Sequence, residues 1–223
     1  MRAPLVLLLA LALAPPAPAV ELVGLSSGSY SVPVTSIKER RTMHTILQQT
    51  DFSCGSAAVA TLLTHHYGFP VSEQAVFAAM YAQGDQAKIR KMGFSMLDMK
   101  QFLERQGFQA DGFEKPLDAL ATARLPAIVL LRENGYNHFV VVKGLRAGRV
   151  LIGDPAKGLV ALARGQFEAM WFNRLLFVIH NRTSAARFDA DADWSALPQA
   201  PLAATAATQL RAIELPKLGP GDF

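Results

Sequence analysis

Cysteine is nearly absent from the sequence: its 223 residues contain one, Cys54. A single cysteine excludes an internal disulfide and leaves an intermolecular link or a free thiol. An idle exposed thiol is a liability in an oxidising compartment, so a lone cysteine in an exported chain indicates a use for it. The alternative is a buried and inert side chain.

Clusters of lysine and arginine interleaved with aromatic residues are also missing. The net charge of +4 is modest, so no nucleic-acid-binding surface is predicted. No internal repeat is visible, and no second long apolar run follows the N-terminal one. Among the five histidines, His65 and His66 are adjacent on a predicted helix, point in different directions and form a poor metal pair.

The first 19 residues have the three parts of a secretory signal peptide. Arg2 provides a positive start, residues 5–14 are an unbroken apolar run, and residues 17–19 form a small-x-small cleavage site. The apolar run is too short to anchor the chain across a bilayer, although an uncleaved anchor is the alternative. We therefore expect a periplasmic protein whose mature chain begins near Val20.

Residues 20–42 are predicted to form an extended segment, with a strand over 36–46 leading into the cysteine motif. A helix then begins beside Cys54, with Asp51 or Ser53 as its cap.

Three further helices are predicted before residue 121. Ser72 caps one, and Ser95 caps the next, with Asp98 three residues on as in a capping box. Pro116 opens a short one, and the polar stretch 83–93 is predicted to be a loop.

Strands dominate the second half of the domain. The predicted elements are strands at 127–131, 138–142, 149–153 and 175–179, with a short helix at 164–171. Helices that precede strands favour an α+β domain, with N-terminal helices packed on an antiparallel sheet. This domain is assigned to 43–181. Residues 182–223 are rich in alanine and proline and are predicted to be a tail with a helix over 203–215.

A cysteine nucleophile needs a base, a group that orients the base, and a donor to the oxyanion. A helix N-terminus beside Cys54 stabilises a thiolate and offers free backbone N–H groups. Either Gln48 or Gln49 is placed to donate to an oxyanion. Gly55 allows a substrate backbone to approach, so specificity is expected from the groove beside it and from the loop at 83–95.

His138 is the best candidate for the base, because it opens an apolar strand after a glycine-containing loop. The next strand ends at Asp154, and an antiparallel hairpin turning at 147–148 returns Asp154 close to His138. Each residue alone has a simpler interpretation, a strand-edge histidine and a turn-forming aspartate before proline. Together with Cys54 and Gln48 they predict a catalytic group.

Three stretches of the sequence resemble the peptidase C39 family. They are residues 48–58 around the cysteine, Asn137-His138-Phe139-Val140-Val141, and Gly153-Asp154-Pro155. The family includes the double-glycine leader peptidase domains of bacteriocin exporters and has a papain-like fold. The resemblance implies Cys54 as nucleophile, His138 as base, Asp154 as orienter and Gln48 as oxyanion donor, with Gln49 as the substitute for Gln48. It also implies that catalysis needs no metal and no organic cofactor.

The sequence differs from the exporter domains in that it carries neither transporter membrane helices nor a phosphate-binding Gly-x4-Gly-Lys-Ser/Thr loop. It is more similar to stand-alone members of Gram-negative bacteria, some of which accompany secretion of functional amyloid. The expected function is hydrolysis of a peptide bond in an exported polypeptide, and the expected partners are that polypeptide and a secretion-system component. Two alternatives stay open: a non-catalytic escort that binds an extended peptide, and an acyl transferase with the same triad. Membrane association is also open.

Overall fold

The structure, a computed structural model, describes residues 19–23, 29–33, 35–133 and 135–197. The chain forms two units, residues 1–36 and 37–223. In the first unit, strands β1 (Ala19–Val23) and β2 (Ser29–Pro33) form an antiparallel hairpin. The signal peptide predicted over 1–19 lies outside the described residues except for Ala19, and the helix predicted over 203–215 lies wholly outside them.

A six-stranded antiparallel sheet is the centre of the second unit. Its strands are β3 (Ala110–Glu114), β4 (Ala127–Glu133), β5 (Tyr136–Arg146), β6 (Arg149–Asp154), β7 (Gly158–Ala163) and β8 (Leu175–Ile179). Their order in the sheet is β3-β8-β4-β5-β6-β7. Strands β4 to β7 are successive hairpins, so each pairs with the next in sequence, whereas β8 returns between β3 and β4.

Helices cover both faces of this sheet. They are α1 (Ile37–Thr42), α2 (Cys54–Thr61), α3 (Glu73–Gln83), α4 (Gln86–Met92), α5 (Met96–Arg105), α6 (Asp118–Ala123), α7 (Arg164–Met170) and α8 (Asp191–Ala196); a π-helical turn, Leu62–His66, continues α2. Alternate residues of β5 serve the two faces: Phe139 and Val141 pack with α2, and Val140 and Val142 with α6 and α7. The predicted α+β class is confirmed.

Helix α2 packs closely on the sheet because its residues are small, and every one of them is buried. A Cβ atom added to Gly55 would lie 3.0 Å from the Cβ atom of Phe94 and 3.7 Å from the ring of Phe139. Glycine at this position therefore leaves room for the core side chains of Phe94 and Phe139. The prediction of a substrate groove beside Gly55 is wrong, because this side of the helix faces the interior.

Two predicted caps are present and one is not. The Ser72 side chain accepts a hydrogen bond from the Ala75 N–H, and Ser95 and Asp98 form a reciprocal capping box. Ser53 occupies the N-cap position of α2, but its hydroxyl bonds to the backbone of Thr50 and caps no helical N–H group.

Two segments differ from the predicted secondary structure. The strand predicted over 36–46 is wrong, because α1 forms there, and the basic residues in its last turn suit the negative end of a helix dipole. The loop predicted over 83–93 contains α4, which Asp85 caps by accepting from the Lys88 N–H and which Ile89 anchors in the core. Strands β3 and β7 were not predicted.

The residues after 181 also correct the sequence analysis, since the described part, 182–197, packs on the domain and is not a free tail. Phe188 and Leu197 are buried. The fully buried ammonium of Lys143, on β5, forms an ion pair with Asp193 at 3.0 Å and donates to the His44 carbonyl at 2.7 Å. A buried charge needs such partners, so α8 is a fixed part of the structure.

Candidate active site

Cys54 is the first residue of α2, and only 6% of its surface is exposed. No side chain caps the start of this helix. The backbone N–H groups of the first turn have no partners within the helix itself. The thiol therefore lies next to donors and at the positive end of the helix dipole, which stabilises negative charge.

His138 and Asp154 lie on neighbouring strands, on the same face of the sheet. The pairing of Val141 with Gly153 makes them diagonal neighbours. The Nε2 atom of His138 lies 2.7 Å from Oδ1 of Asp154. The same carboxylate oxygen accepts from the N–H groups of Ala156, at 2.8 Å, and of residue 157, so the turn after β6 holds it in place.

The pair is strongly polarised. Burial by itself lowers the pKa of His138, but the hydrogen bond to Asp154, the interaction with Cys54 and the charges of both raise it to about 9. The pKa of Asp154 is lowered: burial, the largest single cause, opposes this change, but the bond to His138, the charge of His138, the Ala156 N–H and the charge of Lys157 together outweigh it. At neutral pH the ring is therefore an imidazolium next to a carboxylate on one side and a thiol on the other.

The two nitrogens of His138 have different environments. Because Nε2 bonds to Asp154, the Nδ1 atom is the one that remains for the thiol. Nδ1 is buried and has no partner at full hydrogen-bond distance among the described residues. Cys54 is one of the groups that raise the pKa of the ring. The Nδ1 atom is therefore the nitrogen through which His138 would exchange a proton with the thiol.

Gln48 and Gln49 occupy different positions. The backbone N–H of Gln48 donates to the carbonyl of Pro155 at 2.9 Å, which fixes Gln48 beside the turn that holds Asp154. One side-chain N–H of Gln48 donates to the Thr50 carbonyl at 3.0 Å, so a second N–H remains available. Gln49 is exposed. The structure thus brings Gln48, and not Gln49, to the candidate site.

Tyr136 is a site residue that the sequence analysis missed. Its hydroxyl donates to the Asp51 carbonyl at 2.7 Å, and its ring stacks on His138 with 6.2 Å between centroids. Burial, then the charges of Cys54 and Asp51, raise its pKa. The signal was available, because residues 136 and 138 of a strand face the same side. The hydroxyl links the strand that carries the histidine to the loop before the cysteine.

The remaining histidines lie elsewhere. His180 pairs with Asp111 at the surface, at 2.8 Å, and His44 pairs with Asp193 at 2.6 Å. His65 and His66 line a separate cavity of about 230 Å³, and burial is the main cause that lowers their pKa values to about 4 and about 3.

Among the residues that the structure describes, no group of three or more His, Cys, Asp and Glu side chains is arranged to hold a metal ion. No helix within those ranges is long and apolar enough to cross a bilayer. That catalysis needs no cofactor stays a prediction.

A cysteine at a helix start, a histidine beside it and an aspartate behind the histidine is the arrangement of a cysteine peptidase. The model of the peptidase C39 family matches residues 42–183. The chain belongs to the peptidase C39 family. The predicted family and the predicted class, a cysteine-type peptidase, are confirmed.

Two relatives and one solved structure define the similarity. The chain is 44% identical over 146 residues to the "Probable functional amyloid protease FapD" of Pseudomonas aeruginosa, covering 66% of this chain and 64% of that protein. It is 29% identical over 135 residues to the "Lactococcin-G-processing and transport ATP-binding protein LagD" of Lactococcus lactis, covering 59% of this chain and 18% of that one. The peptidase domain of Streptococcus ComA, a bi-functional ABC transporter, shares the fold with a TM-score of 0.52 at 20% identity, over 61% of this chain and 97% of that domain. The matches to FapD and LagD thus span less than two thirds of those relatives' own length.

Proposed function

We propose that this chain is an exported cysteine peptidase that hydrolyses a peptide bond in an exported polypeptide. Cys54 is the nucleophile, His138 the acid and base, Asp154 the orienting group, and Gln48 the oxyanion donor. The observation that carries the proposal is the 2.7 Å bond between His138 and Asp154, with the His138 pKa raised to about 9 beside Cys54.

In the first half of the reaction the sulfur of Cys54 attacks the carbonyl carbon of the scissile bond. The carbonyl oxygen gains the negative charge and accepts hydrogen bonds from the free side-chain N–H of Gln48 and from backbone N–H at the start of α2. The His138 imidazolium then donates its Nδ1 proton to the leaving amine. The C–N bond breaks and a thioester on Cys54 remains.

In the second half, neutral His138 takes a proton from a water molecule that attacks the thioester. The C–S bond of the thioester breaks and the carboxylic acid leaves. The sulfur departs as a thiolate and His138 keeps the proton from water, so the starting imidazolium and thiolate are restored. Asp154 holds the ring through Nε2 in both halves and stabilises the imidazolium. Each step uses only groups of this chain, the substrate and water.

The proposed location is inferred from the N-terminal sequence, and the proposed substrate class from the two relatives. A signal peptide over 1–19 directs the chain to the periplasm. One relative is named a probable functional amyloid protease and the other a lactococcin-G-processing and transport ATP-binding protein. The proposed substrate is a polypeptide secreted by a related system, functional amyloid or bacteriocin, and a component of that system is the proposed partner.

The test compares exported polypeptides from cells that produce the wild-type chain or Cys54→Ala. We expect one polypeptide to accumulate in a longer form with Cys54→Ala, and the new end of the shorter form identifies the cleaved bond. N-terminal sequencing of the periplasmic protein checks for cleavage after Ala19. Identical exported polypeptides in both strains would refute peptidase function.

Two matched variants separate a peptidase from a peptide-binding escort. An electrophilic thiol probe should label Cys54 rapidly in the wild type and in His180→Ala, which removes an exposed histidine paired with an aspartate. Labelling should be much slower in His138→Ala. Equal and slow labelling in all three proteins would favour the escort. Product analysis in water and with an added amine distinguishes hydrolysis from acyl transfer.

A further inference from the structure

The Gln48 loop, residues 44–48, is attached to the domain at every second residue. The His44 carbonyl accepts from the Lys143 ammonium at 2.7 Å, and the Ile46 N–H donates to a hydroxyl in the last turn of α2 at 2.9 Å. The Gln48 N–H donates to a carbonyl in the turn after β6 at 2.9 Å. Three different elements thus fix the path of the loop, so the position of the Gln48 side chain depends on each attachment.

The first attachment includes a carboxylate from helix α8. The Oδ1 atom of Asp193 lies 2.6 Å from Nδ1 of His44, and its Oδ2 atom lies 3.0 Å from the Lys143 ammonium. Lys143 in turn donates to the His44 carbonyl, so the three residues form a closed group. The Lys143 side chain is fully buried, and that of Asp193 is 7% exposed. Because water has little access to them, these bonds hold both the side chain and the backbone of His44.

The next residue of the loop lies directly against the strand that ends in Asp154. Thr45 is buried, and a Cβ atom added to Gly153 would lie 3.0 Å from its hydroxyl oxygen. Gly153 immediately precedes Asp154 in β6. With so little free space, a displacement at His44 cannot be absorbed locally and must change the backbone that leads to Gln48.

Helix α8 belongs to a part of the chain that follows the family match, which ends at residue 183. This segment is nevertheless fixed on the domain. The Asp189 N–H donates to the Lys143 carbonyl at 2.7 Å, and the side chain of Phe188 is buried. Asp193 is therefore held in place, and its contact with His44 joins a segment outside the family match to the Gln48 loop.

We propose that Asp193 is a positioning residue for the proposed reaction: through His44 it holds the Gln48 loop in place. This role rests on the proposed function, because it takes Gln48 as the oxyanion donor. Such a donor is effective only when its N–H is held in position before the negative charge develops. Loss of the link to Asp193 should therefore weaken stabilisation of the oxyanion and leave the reactivity of the Cys54 thiol unchanged.

Two reagents separate oxyanion stabilisation from thiol reactivity. In acylation of Cys54 by p-nitrophenyl acetate a C–S bond forms through an oxyanion, the ester C–O bond breaks and nitrophenolate leaves. Iodoacetamide alkylates the same sulfur by displacement of iodide from a saturated carbon, so no oxyanion forms. The measured quantity is the ratio of the acylation rate to the alkylation rate, after subtraction of the background in Cys54→Ala. Gln48→Ala sets the scale and should lower this ratio about 100-fold.

Two variants break the link in different ways. His44→Ala removes the bond to Asp193 but keeps the backbone carbonyl that accepts from Lys143. We expect the ratio to fall about tenfold, with the iodoacetamide rate unchanged. The double variant Lys143→Met with Asp193→Leu replaces the buried charges by apolar side chains and should lower the ratio by a similar factor. His44→Asn should restore the ratio, because its amide nitrogen is as many bonds from the backbone as Nδ1 and can donate to Asp193.

The matched control is His180→Ala, which removes the histidine of another histidine–aspartate pair, at the surface, and should keep the wild-type ratio. A second measurement does not depend on catalysis. Exchange of the Gln48 N–H with solvent, followed by NMR, should be about tenfold faster in His44→Ala and return to the wild-type rate in His44→Asn.

The outcomes separate this role of Asp193 from the proposed function. A ratio that is unchanged in His44→Ala and in the double variant, but lowered in Gln48→Ala, would overturn the role and leave the proposed function intact. So would a His44→Asn protein with a ratio as low as that of His44→Ala. A ratio that is unchanged in Gln48→Ala would instead refute Gln48 as the oxyanion donor of the proposed function. In that case the exchange rates decide whether Asp193 holds the loop.

Discussion

Replacing Asp154 with asparagine should lower the pKa of His138 and reduce the reactivity of Cys54. The present rise, from 6.5 to about 9, corresponds to about 3 kcal/mol of net stabilisation of the charged ring, after the cost of its burial. The side chain of His138 is only 14% exposed, so solvent screens the interactions with its neighbours weakly. An asparagine side chain would keep the size of the group but remove its charge, and with burial still opposing the charged ring we expect the pKa of His138 to fall back towards its ordinary value of 6.5.

These values set the size of the effect at about pH 7.5. A ring with a pKa of about 9 is roughly nine-tenths or more protonated at that pH, whereas one with a pKa of 6.5 is roughly one-tenth protonated. The fraction of the protein in which His138 is an imidazolium should therefore fall about tenfold. The rate of Cys54 alkylation by iodoacetamide at the same pH should fall by a similar factor.

The sign of the pH effect on stability follows from the same rise. A group whose pKa is raised on folding contributes stability that is fully present below its unfolded value of 6.5 and lost as the pH rises through about 9. NMR titration of the His138 ring measures the pKa directly, and urea unfolding at about pH 6 and about pH 10 measures the stability. The asparagine variant should lose most of the difference between these two pH values.

The matched control is Asp111→Asn. Asp111 also bonds to a histidine, His180, at 2.8 Å, but both are at the surface. It should leave the alkylation rate unchanged. A wild-type His138 that titrates near its ordinary value of 6.5, or a folded Asp154→Asn protein with the wild-type alkylation rate, would refute this account of the site.

Three further changes test the packing around the site. Tyr136→Phe keeps the ring stacked on His138 but loses the hydroxyl bond to the loop before Cys54. The free energy of unfolding, measured by urea titration, should fall by about 1 kcal/mol. Alkylation of Cys54 by iodoacetamide should become several-fold slower. Gly55→Ala places a methyl group 3.0 Å from Phe94 and should cost about 1–3 kcal/mol in urea unfolding; a wild-type midpoint would contradict this packing argument. Lys143→Met leaves the buried carboxylate of Asp193 without its ammonium partner and should lower the free energy of unfolding by about 3–5 kcal/mol. Adding Asp193→Leu should restore part of this loss. A double variant less stable than the single one would show that packing, and not charge, dominates there.

Local patterns predicted the elements that depend on nearby residues. Ser95 and Asp98 form the expected capping box because the bonds join residues three apart. The strand that begins near His138 was predicted from its own apolar run, which is buried on both faces of the sheet. The apolar pattern did not predict α1 and α4, because both sequences are mostly polar. Helix α4, for example, is stabilised by the Asp85 cap and by one buried side chain, Ile89.

The candidate site shows the same division. The sequence predicted that His138 and Asp154 meet, because a short hairpin joins their strands, and the bond at 2.7 Å is present. The residues alone left Gln48 and Gln49 open, and the family resemblance favoured Gln48. The structure adds the backbone bond from Gln48 to Pro155, a contact between segments distant in sequence. The sequence also led us to interpret Gly55 as open to substrate, although the contact that needs a glycine is with Phe94, which is distant in sequence.

The sequence by itself determined the chemistry of this protein: one thiol, one histidine at a strand start, one aspartate before a proline, and motifs that place the chain in the peptidase C39 family. Those features are residue types at short spacings, so they are visible without coordinates. The tertiary structure alone decided the role of residues 182–197 and the raised pKa of His138. Both depend on burial and on contacts between distant segments, and a linear pattern records neither.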